Sequence, residues 1–336
     1  MFTINKSVSV WEQLVQLPFL NLYSRLLNAA MELDVFSQLC QPVTAEALAA
    51  HMGWHKANTE YLLSALVSIG FLNKTDGTYQ NTEEVDRYLV KGKDEYLGGF
   101  LPFYMQEGMA PMDVKLLVTK GPQSQQQEAM EQQLDFASFA QRMRQAQEGY
   151  RQQELLRIVR SLPENDQIRR VLDLGGATGL LGLAVIGDRP DRTGVLFDRF
   201  PPAVVEESIS LMGLTDRTEV MCGDFMTDRI GERYDLILAL NVMLFAKGRM
   251  EELLKKCYDA LNPGGVLLVI SEAILPDHTG PWDMVMGYLP YYFQGMDMGV
   301  LKNEVSDVAA RVGFTKCEKR TECLCSGTQD IDIIRK

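Results

Sequence analysis

A glycine-rich stretch and the acidic positions after it carry residue types that could bind a small ligand. Val171–Gly179, with the sequence VLDLGGATG, joins an apolar run to a helical pattern through glycines that let a ligand approach the backbone. Asp198 ends the next apolar run, where a carboxylate can accept hydrogen bonds from two ribose hydroxyls. After a third run, Asp224 could bond an adenine amine and Phe225 could pack on the ring. These residues predict a site for a nucleoside-containing ligand.

The spacing of the glycines excludes other nucleotide motifs. Counted from Gly175, the second glycine of the dinucleotide pattern would fall at Ala177, and the sequence has no Gly-Lys-Ser/Thr for a triphosphate. Asp198 has a second interpretation, as the N-cap of a helix beginning near Pro202. Asn241 follows a fourth apolar run, so four successive runs each end in a suitable group. The four together favour the ligand site.

The elements that must position these residues are predicted from residue 168 onward. Short apolar runs alternate there with helical patterns, which indicates an α/β domain with a parallel sheet covered by helices on both faces. A closing hairpin is predicted at Phe314–Arg320 and Asp330–Ile334. The strands are predicted at Arg170–Leu174, Gly194–Phe197, Glu219–Cys222, Tyr234–Leu240 and Gly265–Ile270.

Residues 1–105 have the pattern of a winged helix. Apolar residues at helical spacing over 8–40 precede a helix that Thr44 caps and Gly53 ends, a second helix at Ala57–Ile69, and a hairpin over 70–80. This segment holds seven Lys/Arg and eleven Asp/Glu, a net charge of −4, whereas a DNA reader needs a basic face. We therefore expect a structural, dimer-forming module with the 8–40 stretch facing the partner. Residues 106–161 are expected to form a connector with a long helix at Phe136–Ser161, and 162–336 the ligand-binding domain.

Composition limits the partners and the compartment. The chain has 336 residues, 46% of them hydrophobic and 23% charged, and its net charge of −12 disfavours nucleic acid and anionic membranes as partners. No apolar run is long enough to span a bilayer, and we expect no export signal at the N-terminus. Six scattered cysteines suggest reduced thiols in the cytoplasm, and Cys323 and Cys325 complete no zinc set, so we expect no metal.

With these motifs in place, the chain resembles the class I S-adenosylmethionine-dependent methyltransferases. Over nearly its whole length it is similar to the two-domain small-molecule O-methyltransferases, which include the hydroxyindole, caffeate and hydroxyneurosporene enzymes, and its last third is similar to the bacteriochlorophyllide C-methyltransferase branch. The matching segments are Val43–Thr82, Val171–Gly179, Leu196–Pro202, Gly223–Phe225 and Asn262–Glu272.

The resemblance implies a Rossmann-like doubly wound methyltransferase domain with a mainly α winged-helix dimerisation domain. It also implies a homodimer and an aromatic or polycyclic small-molecule substrate. The cofactor would be S-adenosylmethionine, held by Asp173, Gly175, Gly176, Ala177, Gly179, Asp198, Arg199, Asp224, Phe225 and Asn241.

The chain departs from this family at the catalytic base. Leu244 stands where many O-methylating members carry a histidine, and His51, His55 and His278 all lie outside that segment. Three interpretations follow: O-methylation without that base, C-methylation, or binding of the cofactor for other chemistry. A winged-helix regulator that senses a ligand is a further alternative, and the charge of the wing disfavours it.

Residues near the predicted site supply catalytic and pocket candidates. The candidates for proton transfer are Tyr288, Tyr291, Tyr292 and His278. Dense aromatic and methionine side chains suggest a large planar substrate. The predicted pocket residues are Phe103, Tyr104, Met109, Leu244, Trp282, Met286 and Tyr292.

Overall fold

The chain divides into two units, Met1–Tyr104 and Met105–Lys336. The computed structural model describes residues 9–102, 112–122 and 136–336. Within these ranges no helix has the length and apolar character needed to cross a membrane. The predicted pocket residues Phe103, Tyr104 and Met109 lie outside the described residues.

The first unit has the predicted order of helix, helices and hairpin. Its elements are α1 (Val10–Glu32), a 3-10 turn (Phe36–Gln38), β1 (Val43–Thr44), α2 (Ala45–Met52), α3 (Lys56–Ser68), β2 (Leu72–Thr75), β3 (Thr78–Asn81) and α4 (Glu83–Leu89). β3 pairs with both β1 and β2 in an antiparallel sheet.

Local signals explain the bounds of the first unit's helices. The Thr44 hydroxyl accepts a hydrogen bond from the Ala47 backbone N–H at 3.2 Å, and Gly53 ends α2 with φ +69°. α1 ends at Glu32, short of the predicted residue 40, because Asp34 takes a positive φ of 54° that a helix cannot continue through. Large apolar side chains of α1 are exposed: Val10, Trp11, Leu14, Val15, Leu17, Phe19 and Leu22.

The second unit is the predicted α/β domain. Its elements are α5 (Val114–Lys120), α6 (Phe136–Gln147), α7 (Tyr150–Arg160), β4 (Arg170–Leu174), α8 (Leu180–Gly187), β5 (Thr193–Asp198), α9 (Pro202–Leu211), β6 (Thr218–Cys222), β7 (Tyr234–Leu240), α10 (Met250–Ala260), β8 (Leu261–Glu272), α11 (Trp282–Phe293), α12 (Glu304–Val312), β9 (Lys316–Leu324) and β10 (Gly327–Arg335).

The sheet has the strand order β6-β5-β4-β7-β8-β10-β9. The first five strands in this order run parallel, and β10 pairs antiparallel with β8 and β9, which confirms the doubly wound sheet and its closing hairpin. β8 begins at Leu261, before the predicted Gly265, because Leu261 still pairs with Tyr234 across a register shift. The carboxyl ends of β4 to β8 therefore share one edge of the sheet.

Alternate strand residues fill two cores. One face packs Leu172 and Ile237 against α10 and α12, and the other packs Val171 and Leu236 against α7, α8 and α9. Burial on both faces explains why the parallel strands are continuous apolar runs.

The segment expected as a connector contributes to this core. The predicted single helix Phe136–Ser161 is two helices, α6 and α7, because Gly149 adopts φ +65° between them. Leu155 and Val159 of α7 are buried against the sheet. Residues 105–161 accordingly fall within the second unit and not in a separate element.

Candidate functional site

A tight turn at the end of β4 brings backbone to the sheet edge. Gly175, Ala177 and Gly179 all have positive φ, at 71°, 55° and 78°. A Cβ added to Gly175 would lie 2.6 Å from Val242 Cγ1, so only glycine fits beside the β7 end. Ala177 adopts the same left-handed region at a cost of about 1–2 kcal/mol, which the surrounding turn must offset.

The buried side chain of Asp173 packs against this turn. Its side chain is 1% exposed, and its carboxylate accepts a hydrogen bond from the Gly182 N–H at 3.1 Å. A Cβ on Gly176 would fall 2.1 Å from Asp173 Oδ2, so the turn sits directly on the carboxylate. Burial raises the pKa of Asp173 to about 7. The structure thus places Asp173 as a support of the turn.

Asp198 joins the end of β5 to the same turn. Its Oδ2 accepts a hydrogen bond from the Ala177 N–H at 2.7 Å, and its Oδ1 accepts one from the Phe200 N–H at 3.0 Å. The N-cap of α9 is Pro201 and no side chain bonds there, so the alternative of Asp198 as a helix cap is wrong. A carboxylate has about four acceptor positions, which leaves capacity for ligand hydroxyls.

The third strand end lies beside the turn. Asp224 Oδ1 accepts a hydrogen bond from the Met226 N–H at 2.9 Å, and the exposed Arg199 guanidinium lies 3.8 Å from Asp224 Oδ2. Phe225 is buried, with its ring edge 3.4 Å from where a Cβ on Gly175 would lie. The structure therefore brings the three predicted strand ends together.

Lys256 of α10 holds the loop that carries Phe225, a role that sequence reasoning missed. Its ammonium donates hydrogen bonds to the carbonyl oxygens of Phe225, Met226 and Asp228 at 2.9, 3.0 and 2.8 Å. Its partners lie about thirty residues earlier in the chain, so no local spacing marks it. The only sequence signal is a lysine at a half-buried position of an amphipathic helix.

The variant Lys256→Met is expected to weaken binding of S-adenosylhomocysteine about fivefold to tenfold. Loss of a charged donor leaves three carbonyls, two of them partly buried, less well paired, at a cost of about 1 kcal/mol or more in loop order. Isothermal titration measures the change. The matched control is Lys255→Met, because Lys255 is exposed and its ammonium contacts Asp259 and the Tyr258 ring of its own helix. Equal affinities of the two variants would contradict the role.

Gln147, at the end of α6, is a second residue that sequence reasoning missed. It is buried, its Oε1 accepts a hydrogen bond from the Thr178 hydroxyl at 2.6 Å, and its Nε2 donates to the Gly176 carbonyl at 3.0 Å. The glutamine thus makes two hydrogen bonds to the turn. The glutamine-rich segment before it gave no reason to single out this position.

The fourth strand end carries Asn241 and the segment with Leu244. Asn241 follows β7 with φ +54°, and its N–H donates to the Ile270 carbonyl at 2.8 Å. Leu244 lies in a short 3-10 turn and packs, half-buried, against the apolar core. The aliphatic side chain of Leu244 cannot accept a proton.

The catalytic candidates lie around α11. The Tyr288 hydroxyl donates a hydrogen bond to Glu272 Oε1 at the end of β8. The Tyr292 ring makes an edge contact with His278, with centroids 5.2 Å apart, and burial raises the pKa of Tyr292 to about 12. The ring of Tyr291 lies 5.9 Å from that of Tyr288. Glu272, which the sequence reasoning placed only in a matching segment, is thus part of this cluster.

The remaining pocket candidates of α11 are accessible. Trp282 and Met286 are more than half exposed, whereas Met284 between them is buried. An Asp283 carboxylate oxygen accepts a hydrogen bond from the Thr328 N–H at 2.6 Å, which ties the start of α11 to the turn between β9 and β10. The helix therefore presents apolar side chains from an anchored position.

Comparison with known proteins identifies the family. The O-methyltransferase domain model matches residues 122–315, and the O-methyltransferase dimerisation domain model matches residues 15–91. The chain is 26% identical to 3-hydroxy-5-methyl-1-naphthoate 3-O-methyltransferase of Streptomyces sahachiroi, over 77% of this chain and 76% of that one. It is 26% identical to bacteriochlorophyllide d C-20 methyltransferase of Chlorobaculum tepidum, over 92% and 89%.

Solved structures share the fold. Human N-acetylserotonin methyltransferase in complex with S-adenosylmethionine superposes with a TM-score of 0.74 at 21% identity, covering 99% of both chains. The pyocyanin biosynthetic protein PhzM superposes with a TM-score of 0.75 at 22% identity, covering 97% of this chain and 98% of that one.

The residues at the sheet edge fit this cofactor. The turn is free of side chains at Gly175 and Gly179, and Asp198 and Asp224 keep acceptor capacity for the ribose and the adenine amine. The chain therefore belongs to the O-methyltransferase family and is an S-adenosylmethionine-dependent methyltransferase.

Proposed function

We propose that this enzyme transfers a methyl group from S-adenosylmethionine to an oxygen, or alternatively a carbon, of an aromatic or polycyclic small molecule. In this proposal proximity and orientation supply much of the rate, because Leu244 replaces the usual histidine. The observation that carries it is the convergence of Gly175, Asp198 and Asp224 at one sheet edge. Leu244, in the turn after β7, is half-buried against the core. Holding two reactants aligned can contribute about 7–11 kcal/mol to lowering a barrier.

The proposed cofactor-binding residues contact different parts of the cofactor. Asp198 accepts hydrogen bonds from the ribose hydroxyls, Asp224 accepts one from the adenine amine, and Phe225 packs on the ring. The backbone at Gly175–Gly179 lies along the remainder of the cofactor. S-adenosylmethionine supplies an electrophilic methyl group when it is bound. The protein aligns the acceptor with this methyl group and offers apolar side chains near the site.

The substrate class is inferred from the pocket candidates and the relatives. Trp282 and Met286 offer flat and adaptable apolar surface. The names of the relatives specify a hydroxynaphthoate and a bacteriochlorophyllide, both planar ring systems. These observations support a planar aromatic acceptor.

We also propose a cytoplasmic homodimer formed through the first unit. The exposed apolar side chains of α1, among them Trp11 and Phe19, form a face that a second copy could cover. The match of the dimerisation model to residues 15–91 supports this. All six cysteines are free, which favours a reducing compartment. Sedimentation of a Trp11→Glu, Phe19→Glu variant should give monomers.

A second candidate is a member of the family that binds the cofactor without transferring its methyl group. The observation in its favour is Leu244, since a neutral hydroxyl loses about 10²–10⁴-fold without a base. C-methylation is the remaining alternative, and one relative is named as a C-20 methyltransferase.

One experiment separates these functions. The enzyme is incubated with S-adenosylmethionine carrying a deuterated methyl group and a metabolite extract, and products are analysed by mass spectrometry. The proposal expects a labelled small molecule and an equal amount of S-adenosylhomocysteine. Calorimetric binding of S-adenosylmethionine without any labelled product would favour the second candidate. Fragmentation of the product locates the label on oxygen or carbon.

A further inference from the structure

A buried carboxylate ends β8, at the edge of the sheet where the parallel strands have their carboxyl ends. Glu272 ends β8, is 2% exposed, and its Oε1 accepts the hydrogen bond of the Tyr288 hydroxyl. Tyr288 is itself only partly buried, so it connects Glu272 to the accessible side of α11. The two residues form a chain from the interior to the site.

Two polar atoms in this cluster are left without partners. Among the described residues, Glu272 Oε2 and the Tyr292 hydroxyl are buried and form no hydrogen bond. Such atoms cost about 1–3 kcal/mol each unless a ligand or another group pairs with them. Both atoms could therefore pair with a polar group of a ligand that reaches this cluster.

The cluster is close to the cofactor turn. Val242 packs beside Gly175, and the neighbouring Asn241 is hydrogen-bonded to the Ile270 carbonyl, two residues before Glu272. β4 and β8 are separated by β7 alone, so the two strands lie about 10 Å apart across the sheet, and Glu272 lies four residues beyond the level of Asp173 along the strand direction. An acceptor that bridges this distance contacts both the turn and α11.

Burial also makes Glu272 a stronger base than an exposed glutamate. Removal from water raises the pKa of its carboxyl, opposed by the hydrogen bond from Tyr288. The Asn241 amide and the Val300 backbone N–H lie nearby and also favour the charged form.

We propose that Tyr288 is a catalytic residue that takes the hydroxyl proton of the acceptor, and that Glu272 is the positioning residue that takes the Tyr288 proton. This rests on the proposed O-methylation. The acceptor O–H bond breaks as an O–H bond forms on Tyr288 Oη, while the original Tyr288 proton moves to Glu272 Oε1. One negative charge passes from Glu272 to the acceptor oxygen, and nothing is oxidised or reduced. The pair thereby performs the task of the absent histidine.

The test uses naphthols whose hydroxyl pKa falls stepwise, ending with a nitronaphthol that is ionised at the assay pH. Methyl transfer is compared for wild type, Tyr288→Phe and Glu272→Gln. Tyr258→Phe is the control, because the Tyr258 ring contacts Phe314 and the ammonium groups of Lys255 and Lys336, which do not belong to the cluster of Glu272 and Tyr288. Titration of each variant with S-adenosylhomocysteine reports folding and the cofactor site independently of turnover. If Glu272→Gln does not bind S-adenosylhomocysteine, the comparison of Tyr288→Phe with wild type alone tests the proposal.

We expect kcat for unsubstituted naphthol to fall about 100-fold in both variants, with KM changed less than about threefold. The defect should shrink to less than about threefold for the ionised nitronaphthol, which needs no base. If the loss of kcat is the same for every naphthol, or if kcat does not fall, the proposed roles of Tyr288 and Glu272 are wrong. Transfer by wild type to none of the naphthols, with normal titration, would instead contradict the proposed function.

Discussion

Replacement of Asp198 by alanine is expected to weaken binding of S-adenosylmethionine by at least about 100-fold. We propose that the carboxylate accepts hydrogen bonds from two ribose hydroxyls. Hydrogen bonds to a charged group contribute about 1.5–3 kcal/mol each. It also accepts the Ala177 N–H at 2.7 Å, so its loss frees a turn that is held in the left-handed region. A tenfold loss of affinity corresponds to about 1.4 kcal/mol.

Isothermal titration measures this loss, and two further variants interpret it. Asp198→Asn keeps the size of the side chain and one acceptor oxygen, so it should bind more tightly than the alanine variant. Asp216→Ala, an exposed position in the loop before β6, is the control for removal of one negative charge. An Asp198→Ala affinity within about twofold of wild type would exclude the proposed ribose contact.

Asp173→Asn is expected to change how stability depends on pH. Burial raises the pKa of Asp173 from 3.8 to about 7, and the nearby Asp198 charge adds to the shift. Between these values the folded state binds more protons than the unfolded state, so the free energy of unfolding falls as pH rises. Asparagine removes this contribution and still offers an oxygen to the Gly182 N–H.

Urea unfolding at pH 5 and pH 8, without cofactor, gives the measurement. The stabilisation of Asp173→Asn relative to wild type should be about 2–3 kcal/mol larger at pH 8 than at pH 5. The exposed control Asp216→Asn should show no such difference. Equal effects of Asp173→Asn at the two pH values would show that the buried carboxyl keeps an ordinary pKa.

Much of the sheet could be predicted because burial on both faces leaves a local signal. β4 and β7 have the bounds Arg170–Leu174 and Tyr234–Leu240 that their apolar runs predicted. The errors come from tertiary pairing and from single backbone angles. Leu261 joins β8 because a neighbouring strand pairs with it, and Gly149 divides a continuous helical pattern through its φ of 65°.

The site could be predicted in part for a similar reason. Asp198 and Asp224 stand at strand ends, which the sequence marks, so their meeting at one edge follows from the topology. Gln147, Lys256 and the pairing of Glu272 with Tyr288 depend on contacts between distant segments. Nothing in local spacing specifies which helical side chain reaches a loop in another part of the chain.

The position of β10 has a consequence for synthesis of the chain. β10 comes last among the described strands, but it pairs between β8 and β9 in the interior of the sheet. While a ribosome is still making β10, β8 is an apolar edge strand with unpaired backbone groups, of the kind that aggregates or recruits chaperones. A product that stops before Gly327 keeps that edge. The sheet can therefore be completed only after β10 has been translated. Shortened chains keep an unpaired apolar edge that chaperones and proteases can recognise.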